Sequence, residues 1–548
     1  MLLTSSIYPH SWCFTKLITL FKKGARELCT NYRGISLMDS AAKLYDITLN
    51  RRLMQWFQPD REQAGSQKGR GCIEHLMTLR LLIDLARFKK MKLFVIYVDF
   101  SKAYDRVPRD LMLRKMAEKG CGSVMLNAIA AIYSNTQMLL RSATISSSIG
   151  VRQGAPTSSF LFTLVVNDLI RELKTRCLDD GFLGWLHCMM LMDDTAILAT
   201  TKERAMEKIG ILKDFCAASG MKLNVEKTKF MVIGGSKEDR EPLQVGTTTI
   251  TNCEQYTYLG SIFTQDGTIK TSLKAQCKFK LPHVLKFEAF VQKNSDLPFV
   301  GKRKVFDAAL MTAILYGCET WLADCAFPIA SPLYLSCVRC LLGVRKTTAS
   351  DLCLLEAGLP TLPQRVKALQ KQTLRKLRDQ RQGMEDDPFA YALHKAEQAR
   401  TPCARYIEAV QDYSPQDDAD ALQRRIRESE RTKFATYRTL MNPDLVPHVL
   451  YTCSATKEHE RIATTRFRLS SHNLAIERGR WSRVPPDSRV CPCGPIQNEQ
   501  HVFTACRLNS DTRIMFSNHV LQLPDFFLET NAEAAELCHI CYELMKVY

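Results

Sequence analysis

The chain has 548 residues, 46% of them hydrophobic, enough for several packed domains. It contains no run of 18 apolar residues, so no spanning helix is expected, and Met1 to Phe21 lacks the clean apolar stretch and cleavage site of a secretory signal. A net charge of +18 points to a polyanionic partner, and 21 cysteines without a secretion signal read as reduced thiols in an intracellular protein, with nucleus and cytoplasm both open and secretion excluded.

Residues 1 to about 90 alternate short strands and helices. Ser40 to Phe57 has helical periodicity through Ala41, Leu44, Tyr45, Leu49, Leu53 and Trp56, and Cys72 to Phe88 repeats it through Ile73, Leu76, Leu79, Ile83 and Leu85. Leu93 to Asp99 reads as a strand, Arg109 to Lys119 and Ser123 to Tyr133 as helices, and residues 137–151 as a hairpin leading into a Gly-Val-Arg-Gln-Gly turn. Thr157 to Thr175 is a long apolar helix. A hairpin with acids at its tip follows, then helix Lys202 to Ser219 and strand Phe230 to Gly234. Gly234 to Pro242 is a polar loop, and residues 247–264 read as strands. From Thr268 to Gly317 the pattern is helical and basic. Residues 365–440 are charged and helical, with exposed breaks at Met384 to Asp387 and Asp412 to Asp420.

The acids are the first chemical signal. Asp193 and Asp194 lie in Cys188-Met-Met-Leu-Met-Asp-Asp-Thr-Ala-Ile-Leu-Ala199, and Asp99 ends the apolar run of Phe94-Val-Ile-Tyr-Val-Asp99. Carboxylates are rarely buried unless paired or bound to a metal. Three of them at the ends of two adjacent strands suit two divalent cations and in-line attack on a phosphate. An Asp-Asp pair alone is weak. Asp179-Asp180, Asp386-Asp387 and Asp417-Asp418 sit in polar surroundings that read as turns or solvated surface.

Two further features carry charge or metal chemistry. Arg365 to Arg381 places seven basic residues on a helical pattern whose apolar side is Val366, Leu369, Thr373 and Leu377. We read it as a phosphate-contacting helix ahead of a merely solvated one; a membrane-surface role is disfavoured by the lack of bulky aromatics. Cys491, Cys493, His501 and Cys506 form Cys-x-Cys-x7-His-x4-Cys, and three thiols with an imidazole fit one tetrahedral, structural Zn²⁺. The alternative is a chance cluster in a cysteine-rich chain.

The order of the motifs is more specific. Leu20-Phe-Lys-Lys-Gly24 and Asn31-Tyr-Arg-Gly-Ile-Ser-Leu37 precede Gln63-Ala-Gly-Ser-Gln-Lys-Gly-Arg-Gly71, then Val98-Asp-Phe-Ser-Lys-Ala-Tyr-Asp105. Gly150-Val-Arg-Gln-Gly-Ala-Pro-Thr-Ser158, Leu191-Met-Asp-Asp194, Gly220-Met-Lys-Leu-Asn-Val-Glu-Lys-Thr-Lys229 and Tyr258-Leu-Gly-Ser-Ile262 follow. In this order they resemble the reverse transcriptase of non-LTR (LINE-type) retrotransposons, strongly over residues 10–265 and loosely beyond. Arg466 to Leu474 and Ile476 to Trp481 resemble the stretch that precedes the family's C-terminal zinc knuckle.

The resemblance implies an α+β right-hand polymerase. Fingers and an antiparallel palm sheet would fill residues 1–265 and a thumb 266–364, followed by a charged helical connector over 365–460 and a knuckle-bearing region over 461–548. It implies an RNA-directed DNA polymerase that takes an RNA template, a DNA primer or target and deoxynucleoside triphosphates, with no membrane partner. The alternative is a catalytically decayed nucleic-acid-binding relic. It implies Asp99, Asp193 and Asp194 at two Mg²⁺ or Mn²⁺ ions, helped by the carbonyl of Phe100. Tyr104 would lie under the incoming sugar, Gln153 and Gly154 would meet nucleotide and template, and Lys22 and Arg33 would grip the triphosphate. Lys227 would protonate the leaving group, with Lys222 and Lys229 as rivals. Tyr258, Leu259 and Gly260 would support the primer end. Asp105 is assigned to capping its helix or pairing with Arg106 or Arg109. This sequence departs from the family at Met192, large enough to crowd the primer end, and at Ser66 and Gln67. It also implies truncation on the N-terminal side, with no endonuclease region.

Overall fold

The computed structural model describes residues 3, 7–141, 143–381, 383–528 and 533–548. They divide into two compact units, one of residues 1–268 and 377–405, the other of residues 269–376 and 406–548.

The first unit is α+β. Its strands are β1 (Phe14–Phe21), β2 (Tyr32–Leu37), β3 (Leu93–Val98), β4 (Thr136–Leu140), β5 (Ala143–Ser147), β6 (Cys188–Leu191), β7 (Asp194–Ala199), β8 (Lys229–Ile233), β9 (Leu243–Val245), β10 (Thr248–Asn252), β11 (Gln255–Tyr258) and β12 (Ser261–Thr264). They form a four-stranded sheet in the order β2-β1-β4-β5, a six-stranded sheet in the order β6-β7-β3-β8-β10-β9, and the hairpin β11-β12.

The six-stranded sheet carries the expected palm, and β3 is its axis. Every residue of β3 is buried, as its unbroken apolar run requires. Phe94, Ile96 and Val98 enter the core shared with helices Pro156–Arg176 and Lys202–Ser219. On the other face Tyr97 stacks on Tyr256 of β11, with ring centres 4.1 Å apart. The pairs β6-β7, β7-β3 and β3-β8 are antiparallel. The expectation of a wholly antiparallel sheet needs one correction. The chain runs out along β9 and returns as β10 beside β8, and that last pair is parallel, with Thr251 opposite Lys229.

Two buried aspartates cap helices, one from far away in the sequence and one locally. Helix Pro156–Arg176 has no cap from its own neighbours; instead Asp46, itself buried, accepts from the backbone N of Thr157 at 2.8 Å and from its hydroxyl at 2.7 Å. Asp387 accepts from the backbone N of Phe389 and Ala390 at 3.0 and 3.1 Å and so starts helix Pro388–Gln398, which packs along helix Cys72–Phe88.

Two of the acids read as turn or solvated surface, Asp180 and Asp387, are corrected, whereas Asp179, Asp386 and Asp417 are exposed as expected. Asp387 is fully buried, within 3.2 Å of both Arg70 and Arg381, and those two arginines also hold Glu74 at 2.7 Å each. Asp180 is buried against Lys208 at 2.6 Å. Asp417 and Asp418 sit in the first turn of helix Pro415–Glu428, where a helix N-terminus favours negative charge. Asp180 and Asp387 look solvated in a short window because Lys208 and Arg70, which bury them, lie far away in the sequence.

The second unit is helical and has its own core, from Leu273 to Leu544. Its centre holds a buried carboxylate. Glu356 accepts from Arg468 at 2.5 and 3.1 Å and from the Tyr437 hydroxyl at 2.6 Å. All 21 cysteines are free thiols. No helix of the described residues is long and apolar enough to cross a membrane.

The four-charge cluster yields a stability prediction. Asp387→Ala strips a cap and leaves Arg70 and Arg381 short of negative charge in the interior, which costs on the order of 3–5 kcal/mol. Asp387→Asn keeps the cap and costs less. Protease cleavage near residues 377–405 should rise in the order wild type, Asn, Ala; identical cleavage of all three would contradict the role assigned to this carboxylate.

Candidate active site and candidate zinc centre

The site forms where β3 ends beside the tip of the β6-β7 hairpin. Val98 pairs with Thr195 and Leu191 with Asp194, so Asp99 emerges one step beyond the ladder, next to the turn Met192-Asp193. A second segment, residues 222–228, straps Asp99 in place. The backbone N of Asp99 donates to the Thr228 hydroxyl at 3.1 Å, the N of Asn224 donates to the Asp99 carbonyl at 2.8 Å, and the N of Ser101 donates to the Lys222 carbonyl at 2.8 Å. Phe100, buried, bridges to Leu223.

Burial and neighbouring charge act together on the two aspartates of the turn. The Asp193 carboxyl is held above the ordinary range first by burial and then by the Asp99 charge, with Arg33 and Lys22 opposing. Asp194 goes further, pushed up to about 6 by burial, then by Asp193, then by Asp99. Burial and the like charges beside them both disfavour the ionised form of Asp193 and Asp194, so the turn is short of positive charge. Carboxylates at the end of β3 and at the β6-β7 tip are oxygen donors of the type a hard divalent cation takes, and such an ion would supply that charge.

The other expected residues fall around this centre. Lys22 and Arg33 extend from the β1-β2 hairpin, where Leu20 pairs with Arg33 and the N of Lys22 donates to the Asn31 carbonyl. Both are exposed. Tyr104 lies flat on Phe162, ring centres 4.5 Å apart and 9° from parallel, and its carbonyl accepts from the N of Val151. Gln153 gives its carbonyl to the N of Ser36 on β2 at 2.7 Å. Next to it Gly154 has φ +116, and a Cβ there would meet the Ser36 carbonyl oxygen at 2.7 Å, so only glycine lets the turn touch β2. Tyr258, buried, and the positive-φ pair Leu259-Gly260 make the β11-β12 turn. The neighbouring Tyr256 is pushed up to about 12 by burial and then by Asp99 and Asp194, which places this hairpin beside the acids.

Geometry separates Lys227 from Lys229. The Lys227 Nζ is 3.7 Å from an Asp99 carboxylate oxygen, whereas Lys229 turns away to the Thr251 hydroxyl at 2.8 Å. Asp105 departs from expectation. It neither caps its helix nor pairs with Arg109, whose guanidinium is spent on the carbonyls of Gly150, Tyr133 and Ser147; Asp105 takes the Gln153 amide at 3.4 Å. Met192 does not stand out over the site. Its sulfur lies 3.5 Å from the Thr163 hydroxyl and 3.8 Å from that of Ser66, tucked toward the protein.

The basic helix is also corrected. In helix Leu362–Arg381, Arg365 meets Asp307, Lys367 meets Asp324, Arg378 meets Glu397, and Arg381 meets Glu74 and Asp387. Most of its charge is matched within the protein, so a phosphate-contacting role rests on no open row of cations there.

In the second unit Cys491, Cys493, His501 and Cys506 converge, their ligand atoms all within 4.8 Å of one another. The sulfurs of Cys491 and Cys493 lie 3.6 and 3.4 Å from that of Cys506, and the Cys493 sulfur lies 3.1 Å from the His501 Nε2. Tetrahedral ligands at ~2.3 Å from a zinc ion are spaced at about 3.7 Å, so the donor set fits. The turn comes from the Gly494 N donating to the Cys491 carbonyl, and His501 is placed by a helix that Asn498 caps.

Comparison with known proteins places part of the chain in a family. Residues 21–263 match the family described as reverse transcriptase (RNA-dependent DNA polymerase). A putative 115 kDa protein in type-1 retrotransposable element R1DM of Drosophila melanogaster is 22% identical over 92% of this chain and 48% of its own length. A retrovirus-related Pol polyprotein from type-1 retrotransposable element R2 of Nasonia vitripennis is 26% identical over 44% of this chain and 25% of its own. The chain spans about half or less of the curated relatives it matches. Among solved structures, telomerase from Candida albicans in complex with a fragment of telomeric RNA aligns over 74% of this chain and 66% of its own, with 11% identity and a TM-score of 0.35.

The coupling of the acids can be measured. In Asp193→Asn the nearest like charge is gone, so the Asp194 carboxyl should titrate below its value of about 6. Carboxyl-carbon NMR titration reads this directly, and an unmoved Asp194 would refute the coupling.

Proposed function

We propose that this chain, whose residues 21–263 are a reverse transcriptase domain of the non-LTR retrotransposon kind, is an RNA-directed DNA polymerase that extends a primer 3′ end with deoxynucleotides. The observation that carries this reading is the convergence of Asp99, Asp193 and Asp194, with Asp194 pushed up to about 6.

Asp99, Asp193 and Asp194, with the Phe100 carbonyl, would hold Mg²⁺ or Mn²⁺. When bound, two such ions supply Lewis acidity to the attacking 3′-hydroxyl and to the triphosphate. The chain's own groups do the rest. Lys22 and Arg33 bring fixed positive charge over the triphosphate and offset the charge that develops in the transition state. Tyr104, immobilised flat on Phe162, presents a rigid surface to the sugar and would collide with a 2′-hydroxyl. Gln153 and Gly154, anchored to β2, face nucleotide and template. Lys227, 3.7 Å from Asp99, is the lysine placed to give a proton to pyrophosphate. The β11-β12 turn, Tyr258-Leu259-Gly260, supports the primer end. Met192 folded against Thr163 and Ser66 leaves room for that end, so this departure from the family pattern does not favour a decayed relic.

RNA template, DNA primer and deoxynucleoside triphosphates are thus the proposed partners, with one structural Zn²⁺ on Cys491, Cys493, His501 and Cys506. Closed four-ligand zinc adds its binding free energy to the folding of the segment around it.

Two experiments test the reading. Purified protein with Mg²⁺ should extend a DNA primer on a homopolymer RNA template, and Asp193→Ala should lose at least about 10³-fold in rate while template affinity stays within a few fold. Extension by the mutant at the wild-type rate would sink the assignment. Metal analysis of the full chain should find about one zinc per molecule, lost in Cys493→Ser. Absence of zinc, with all three thiols freely reactive in the native protein, would remove the centre.

A further inference from the structure

The acid-bearing turn is clamped from outside. Gln63 is fully buried, 129 residues before Met192 in sequence, and its carboxamide reads the turn's backbone on both sides. Its Oε1 accepts from the N of Met192 at 2.9 Å and from the N of Gly65 at 2.8 Å, and its Nε2 donates to the Met192 carbonyl at 3.4 Å. The flanking backbone joins in. The N of Met190 donates to the Glu62 carbonyl at 2.7 Å and the N of Ala64 to the Met190 carbonyl at 2.8 Å, making a short parallel bridge along the free edge of β6. Gln63 is held in turn by Gln67, whose amide donates to the Gln63 carbonyl at 2.5 Å.

The clamped residue is under strain. Met192 has φ +58, a conformation that costs a residue with a side chain roughly 1 kcal/mol or more unless its surroundings fix it. Two features fix it here: the Gln63 carboxamide, and the packing of the Met192 sulfur against Ser66 and Thr163. Gly65 completes the fit. A Cβ there would lie 2.8 Å from the Met192 backbone N and 2.7 Å from its sulfur. Residues 62–66 therefore form a socket shaped to one backbone conformation of Met192. The next two residues in the chain are Asp193 and Asp194, so the conformation of Met192 sets where both carboxylates leave the turn.

We infer that Gln63 is a positioning residue that holds the Met192 turn in its left-handed conformation and thereby sets Asp193 and Asp194 against Asp99. The inference rests on the polymerase reading above. Gln63 touches neither substrate nor metal. Its effect passes through the geometry of the two acids, so it should be felt in the rate and in the cation requirement, not in template binding.

The experiment is primer extension by the full chain on a homopolymer RNA template, titrated with Mg²⁺ and separately with Mn²⁺. Wild type and Asp193→Ala come first: a wild type that does not extend, or an Asp193→Ala that does, overturns the polymerase reading itself. Given that control, Gln63→Leu, which keeps the volume and removes both hydrogen-bonding groups, should lower kcat by about 10–100-fold and raise the Mg²⁺ concentration for half-maximal rate several-fold, with template affinity unchanged. Gln63→Glu, which keeps the acceptor, should fall between. The decisive readout is Met192→Gly, since glycine adopts positive φ without strain. Adding Gln63→Leu to Met192→Gly should cost much less than adding it to wild type. Full additivity of the two substitutions, or a Gln63→Leu protein with wild-type kcat and Mg²⁺ dependence, overturns the inference. So does a Gln63→Leu protein that loses template binding in proportion to rate, because that is general unfolding.

Discussion

Three carboxylates that repel one another have to be kept within reach, and most of the first unit can be understood as the apparatus that keeps them there. Burial first, and then the neighbouring charges, raise the Asp193 and Asp194 carboxyls. Most of what opposes the repulsion lies outside the two side chains. The resistance comes from a fully buried strand, β3, whose ladder with β7 fixes where Asp99 leaves the sheet. It comes also from the 222–228 strap that takes up both the N and the carbonyl of Asp99, and from the turn geometry of β6-β7. A sheet edge alone would leave the acids free to splay; a core on both faces of β3 does not.

How much of this was legible in the sequence depends on the range of the interaction. Helices Cys72–Phe88 and Lys202–Ser219 lie at the bounds their periodicity gives, and the acid-tipped hairpin falls where the apolar run breaks. Those features are set by residues a few positions apart. Tyr104, Gln153, Gly154 and Lys227 stand out in the sequence because they sit in short, ordered motifs. What sequence patterns missed is long-range pairing. Asp46 capping a helix 110 residues later, Asp387 buried between Arg70 and Arg381, and Lys208 neutralising Asp180 leave no mark in a local window. An acidic pair in polar surroundings reads as solvated until the cation that buries it is known.

The same reasoning explains the basic helix. A count of seven cations along Leu362–Arg381 overstates the field that a polyanion would feel, because Asp307, Asp324, Glu397, Glu74 and Asp387 take up much of it. The net +18 of the chain is real, but the helix with the densest basic sequence is not where it lies open. The cations that stay uncommitted near the acids, Lys22 and Arg33, are few and sit on a hairpin, where sequence density gives no hint of them.

The first unit is not contiguous. Residues 377–405 belong to it although the chain leaves at residue 268, and in it the backbone N of Cys403 satisfies the buried Asp84 at 2.9 Å. A ribosome therefore releases the sheet long before the segment that finishes it. At ~5–20 residues per second the wait lasts roughly 7–27 s, during which the face of helix Cys72–Phe88 that carries Glu74 and Asp84 lacks the partners that residues 377–405 bring. Vectorial synthesis thus builds in an interval of vulnerability, with chaperone capture or misassociation competing against completion. A fragment cut at the end of β12 would remain in that interval permanently.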